Sequence, residues 1–104
     1  MYLFNGTDIE TIESTSPVLG WDPDDEWETL EFPFHPGSTL FLYTDGLVEA
    51  KNTANEEFES RLVESLTRIE SPPDELVTTL FREVSGFCGG RFDDDLTMVA
   101  IRRL

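Results

Sequence analysis

The apolar run Thr39-Leu40-Phe41-Leu42-Tyr43-Thr44 stops abruptly at Asp45-Gly46. It shows no two-residue alternation, which predicts a strand covered on both faces. Upstream, Met1 to Phe4 is a short apolar run closed by Asn5-Gly6, a hairpin signal, and Asp8 to Ile12 follows as its antiparallel partner. Trp27 to Phe34 reads as a further strand offering Trp27, Leu30, Phe32 and Phe34, with Pro33 confining it to a sheet edge. The period then changes. From Glu57 to Ile69 the apolar positions Phe58, Leu62, Val63, Leu66 and Ile69 fall on one helical face, with Glu59, Arg61, Glu64 and Arg68 on the other. A second helix opens at Ser71-Pro72-Pro73-Asp74, with Ser71 as cap and Pro72 at the first helical position. Its stripe is Leu76, Val77, Leu80, Phe81, Val84 and Phe87, and Gly89-Gly90 ends it. Leu96 to Ile101 is a last apolar strand.

Strands, two helices and a strand in this order predict an α+β fold, a mostly antiparallel sheet with both helices on one side. At 104 residues the chain fits a single domain, residues 1–104, with a core but little to spare. Hydrophobic residues at 38% and aromatics at 12% describe a globular composition.

Charge narrows the function classes. With 22 acidic and 7 basic residues the formal net charge is −15, a field that repels nucleic acid and anionic membrane surfaces. No apolar run approaches the length of a membrane span, and the N-terminus lacks a signal-peptide pattern. A single cysteine, Cys88, excludes an internal disulfide and fits a reducing compartment, so the expected location is cytoplasmic.

The candidate chemistry sits where strands meet acids. Asp45 stands where the central strand ends, and Asp93-Asp94-Asp95 lead directly into the last strand. If those strands are neighbours, Asp45 and Asp94 come together as oxygen ligands suited to Mg²⁺ or Mn²⁺. Asp-Gly after a strand is equally a plain turn signal. Asp22, Asp24 and Glu26 suggest a calcium loop, but Trp27 occupies the position that needs glycine, so a solvated connection carrying two Trp anchors is the better reading. His35, beside Pro36-Gly37, reads as an exposed turn residue, and nothing marks Cys88 as an activated thiol. Asn5-Gly6-Thr7 also spells a glycosylation sequon, discounted for a cytoplasmic chain.

The pattern Pro36-Gly37, Leu42-Tyr-Thr-Asp-Gly-Leu-Val-Glu-Ala50, Glu57-Phe58, Gly89-Gly90 and Asp94-Asp95-Leu-Thr-Met-Val-Ala-Ile-Arg102 resembles the C-terminal half of the bacterial PP2C-like serine phosphatases. The subgroup is that of the stage II sporulation and sigma-factor regulatory phosphatases. The resemblance runs over the whole chain and implies part of the PP2C α/β/β/α sandwich. It departs from the family at Glu59, where a glycine usually follows the phenylalanine.

In that family two divalent metals position a water that attacks the phosphorus of phosphoserine or phosphothreonine, without a Cys or His nucleophile. Carried onto this chain, the resemblance makes Asp45 and Asp94 metal ligands, with Asp95, Asp93 and Gly46 supporting or alternative positions. The family's N-terminal metal-bridging acid has no counterpart here. The expectation is therefore one weakly bound Mn²⁺ or Mg²⁺ at most, no catalytic residue and little activity from this polypeptide alone. The implied substrate is a phosphoprotein of the anti-anti-sigma type. The alternative is a non-catalytic regulatory or interaction module, whose open apolar surface self-association would cover.

Overall fold

The computed structural model describes residues 1–6 and 8–104; Thr7, the last residue of the sequon, lies outside them. Four strands, β1 (Tyr2–Asn5), β2 (Asp8–Thr11), β3 (Thr39–Tyr43) and β4 (Met98–Arg102), form one antiparallel sheet in the order β2-β1-β3-β4. Among the described residues three helices accompany it: α1 (Asp45–Val48), α2 (Glu59–Arg68) and α3 (Pro73–Cys88). The α+β reading holds, with the four-residue α1 added to the two expected helices.

The register sorts the side chains by face. Tyr2 pairs with Phe41, Phe41 with Ala100 and Tyr43 with Met98, so these residues share one face of the sheet. That face packs on Leu62 and Leu66 of α2 and on Leu76, Leu80 and Val84 of α3. Phe41, Leu62, Leu76, Leu80 and Val84 are fully buried there. Both helices thus cover the same side, as their stripes require.

The opposite face corrects the expectation for the central strand. Leu40 and Leu42 of β3 pair with Ile101 and Val99 of β4 and are only half-buried. Val99 and Ile101 are 45% and 46% exposed. A run apolar at every position reads as covered on both sides, whereas the helices cover one.

Other boundaries shift for local reasons. The Trp27 to Phe34 segment is not a strand: Trp27 Nε1 donates to Pro17 O at 2.8 Å and the Glu28 amide to Ser16 Oγ at 3.1 Å, so side chains tie it in place of a ladder. α3 starts at Pro73 with Pro72, which has no side-chain acceptor, as its N-cap, and the Ser71 carbonyl accepts the Arg102 guanidinium at 2.8 Å. Its C-terminus follows expectation: Gly89 takes φ 65°, and the Gly90 amide returns to Ser85 O at 2.9 Å. α2 is shorter than its apolar stripe, since Phe58 caps it and Ile69 leaves it extended.

Candidate functional site

β3 and β4 end together, and the end is held by one hydroxyl. The Thr44 amide donates to Thr97 O at 3.1 Å, continuing the ladder past Tyr43. The next rung is made by a side chain: Thr44 Oγ1 accepts the Thr97 amide at 3.0 Å and donates to Asp95 O at 3.3 Å. Thr44 occupies the N-cap position of α1 yet makes no capping bond, because its oxygen is engaged across the sheet. This is also why β4 begins at Met98 and not at Leu96.

Beyond Thr44 the chain turns at once into α1, with Asp45 in its first turn, where a carboxylate is favoured. Gly46 follows, buried against the loop that precedes β4. A β carbon on Gly46 would lie 2.1 Å from Asp95 O and 3.2 Å from Asp94 O. No side chain fits that gap, so glycine is required by close approach and not by an unusual φ. The Asp-Gly pair and the Asp94-Asp95 pair, forty-nine residues apart in sequence, therefore meet main chain to main chain.

The carboxylates at this junction are exposed. Asp94 Oδ1 accepts the Asp95 amide at 2.8 Å, which orients that carboxylate. Gly46, Asp93 and Asp94 line a cleft of about 300 Å³ with Glu49, Ala50, Lys51 and Glu57. Asp45 adjoins this cleft through Gly46; Asp95 meets the junction with its carbonyl. Glu49 and Glu57 were not singled out by spacing. Glu57 reaches the cleft because residues 51 and 57 form a bridge across a loop organised by Asn52, whose Oδ1 accepts the amides of Ala54 at 3.0 Å and Glu56 at 2.9 Å. Among the described residues no three His, Cys, Asp or Glu side chains cluster closely enough to hold a metal ion.

Beneath the junction lies an aromatic floor. Tyr43 stacks on Tyr2 with ring centroids 5.9 Å apart and on Phe41 at 5.7 Å. Burial pushes the Tyr43 phenol up to about 12, with neighbouring Tyr2 and the charges of Glu59 and Asp45 acting in the same direction. The phenol therefore stays neutral at physiological pH and contributes no phenolate to the site.

The remaining candidates lie elsewhere. His35 sits in the turn before β3, at the end opposite Asp45, and lines a separate cleft with Leu3, Asp8 and Ser38. Cys88 is buried at the end of α3 and points at Ser85 O, 3.9 Å away. Asp22 takes the Asp24 amide at 2.9 Å and serves as a turn acceptor in an exposed segment. No helix among the described residues is long and apolar enough to cross a membrane.

An antiparallel sheet with two helices on one face and acids at the shared end of two adjacent strands, β3 and the outer strand β4, defines a class. It is the fold of part of the PP2C phosphatase domains. The structure superposes on the phosphatase domain of the cell fate determinant SpoIIE from Bacillus subtilis with a TM-score of 0.75, at 20% identity, over 97% of this chain and 44% of that one. The SiaA-PP2C domain of Pseudomonas aeruginosa matches with a TM-score of 0.81, at 22% identity, over 97% of this chain and 41% of that one. Protein IcfG of Synechocystis sp. is 31% identical over 106 residues, which span 99% of this chain and 17% of that protein. The chain belongs to the Stage II sporulation protein E (SpoIIE) family, matching it over residues 1–104. It spans less than half the length of the solved phosphatase domains it resembles.

Proposed function

We propose that this chain is the C-terminal part of a metal-dependent serine/threonine protein phosphatase domain, contributing Asp45 and Asp94 to a Mn²⁺ or Mg²⁺ site. The observation that carries the reading is the contact of Gly46 with the Asp94–Asp95 backbone, which brings the two acidic motifs to the same end of adjacent strands. Carboxylate oxygens are the donors such hard cations prefer. Asp93 and Asp95 support the pair, and Glu49 and Glu57 add negative potential from the same cleft. A cation held there supplies Lewis acidity toward phosphate oxygens and lowers the pKa of bound water. The substrate class is a phosphoserine or phosphothreonine protein; an anti-anti-sigma-type regulator is the particular substrate we propose, on family membership.

Two acids form an incomplete site, and among the described residues no third His, Cys, Asp or Glu side chain clusters closely enough with them to hold a metal ion, which supports a second reading for this polypeptide alone. In that reading it is a non-catalytic module on a partial phosphatase scaffold. Turnover of p-nitrophenyl phosphate with added Mn²⁺ separates the two. The 104-residue chain is expected to show little or none. Metal-dependent turnover that Asp45→Asn and Asp94→Asn each abolish would establish an independent enzyme. Binding of Mn²⁺ that both substitutions weaken, without turnover, supports the incomplete site. Binding that neither substitution affects contradicts the metal role.

A further inference from the structure

The loop that carries Asp94 is held from two sides, and only one of them belongs to the junction with Thr44 and Gly46. On its C-terminal side Asp95 O accepts the Thr44 hydroxyl at 3.3 Å and packs against Gly46. On its N-terminal side the chain leaves α3 through Gly89 and Gly90, both at positive φ, 65° and 77°. A backbone bond from the Arg91 amide to Cys88 O at 3.3 Å follows. The next anchor is a side chain. The Phe92 ring stacks on Phe81 of α3, with centroids 6.1 Å apart and planes 11° from parallel. Phe81 lies about two turns back from the end of the helix, so Phe92 folds the loop back along α3.

Neither ring is part of the buried core. Phe81 is 47% exposed, and Phe92 is half-buried against the edge of the cluster. What Phe92 directly precedes is the run Asp93-Asp94-Asp95, three consecutive and exposed carboxylates. Their charges repel one another, and the two glycines upstream leave the backbone free to splay. A ring one residue before the first acid, stacked on a helix, opposes that spreading. The consequence for a ligand is thermodynamic. A cation binds more weakly to a loop that is only fractionally in the competent conformation, in proportion to that fraction.

We propose that Phe92, through its stack on Phe81, is a positioning residue of the metal site, holding the Asp93–Asp95 loop so that Asp94 stands beside Gly46 before a divalent cation arrives. The inference rests on the reading of Asp94 as a ligand of Mn²⁺ or Mg²⁺. Phe92 acts through Asp94 and not by its own contact with the cation. The ring contact lies wholly within this chain, and it ties α3 to the acids at the start of β4. α3 therefore both covers the sheet and sets the place of the acidic loop.

Titration of the 104-residue chain with Mn²⁺, followed by broadening of its amide resonances, tests this. Phe92→Ala should raise the Kd for Mn²⁺ about fivefold, the weight of one aromatic pair. Phe92→Tyr keeps the ring and should stay within about twofold of the parent. Phe81→Ala removes the partner ring from an exposed position, where folding tolerates the change, and should show the same loss. The double variant Phe81→Ala, Phe92→Ala should bind no more weakly than either single one, because the rings act as one unit. In Phe92→Ala, broadening at Asp45 and Gly46 should persist while broadening at Asp94 and Asp95 declines. A merely structural role would lower the urea midpoint and leave the Kd of the folded chain unchanged. Mn²⁺ binding that depends on Asp94 yet is unmoved by Phe92→Ala and Phe81→Ala overturns the proposal and leaves the metal reading standing. Losses that add in the double variant overturn it in the same way. Binding indifferent to Asp94→Asn overturns the metal reading and the proposal with it.

Discussion

Gly46 and Asp95 stand in van der Waals contact through their main chains, so closely that a β carbon on Gly46 would lie 2.1 Å from the Asp95 carbonyl oxygen. Backbone on both sides leaves nothing to rotate away, so substitution forces α1 off the loop preceding β4. Gly46→Ala is expected to destabilise the fold by about 2 kcal/mol, in the range of overpacked sites, measured by urea denaturation. Unchanged stability would mean that the two motifs are not held together.

Thr44 joins the same two elements from the strand side, through the Thr97 amide and the Asp95 carbonyl. Thr44→Val keeps the shape and removes both bonds at a solvent-exposed end. The expected cost is about 1 kcal/mol, with Thr44→Ser retaining most of the stability. Hydrogen exchange at the Thr97 amide should rise in the valine variant and stay close to the parent in the serine variant.

Arg68 of α2 and Glu83 of α3 form an ion pair between the helices. Burial works to raise the Glu83 carboxyl, but hydrogen bonds from Arg68 and Ser65 and the Arg68 charge outweigh it and hold the group below its usual range. A carboxylate with a depressed folded-state pKa adds stability above its unfolded pKa and loses it as pH falls through the folded one. Glu83→Gln should therefore be less stable than the parent near neutral pH, and the gap should close as the solution is acidified through the carboxylate range. A gap that widens on acidification would contradict the pairing. Denaturant midpoints taken across pH read this directly.

Burial separates the apolar residues that hold the fold from those that do not. Leu80 is fully buried between α3 and the sheet, whereas Trp21 is 83% exposed. Leu80→Ala should cost about 2–5 kcal/mol and Trp21→Ala less than about 0.5 kcal/mol. Calorimetry of the two variants distinguishes a helix-side core from one that includes the acidic, tryptophan-bearing segment.

Periodicity exposed most of this architecture in advance. The stripes of α2 and α3 carry Leu62, Leu66, Leu76, Leu80 and Val84, which are buried, whereas Val63 and Phe81 of the same stripes are 40% and 47% exposed. Asn5-Gly6 marked the first hairpin and Gly89-Gly90 the end of α3. The acidic ends of β3 and β4 were also readable, because each interrupts an apolar run. What was hidden depends on pairing across distance. Thr44 carries no local sign that its hydroxyl completes a ladder rung with Thr97, fifty-three residues on. Glu57 enters the cleft only because the Asn52 loop folds it back beside residue 51. The Trp27 to Phe34 segment misled because aromatic content resembles a strand, while its backbone is tied by Trp27 and Ser16 and no neighbouring strand receives it. α1 was missed because four residues are too few for a helical period to show.

The central claim is that Asp45 and Asp94 serve one divalent cation at the shared end of β3 and β4. Paramagnetic broadening of the chain's amide resonances by substoichiometric Mn²⁺ addresses it most directly. The account predicts broadening centred on Asp45, Gly46, Asp94 and Asp95, which Asp45→Asn and Asp94→Asn each diminish. Broadening spread evenly over the acidic surface, or centred on Asp22 to Glu28, would contradict it.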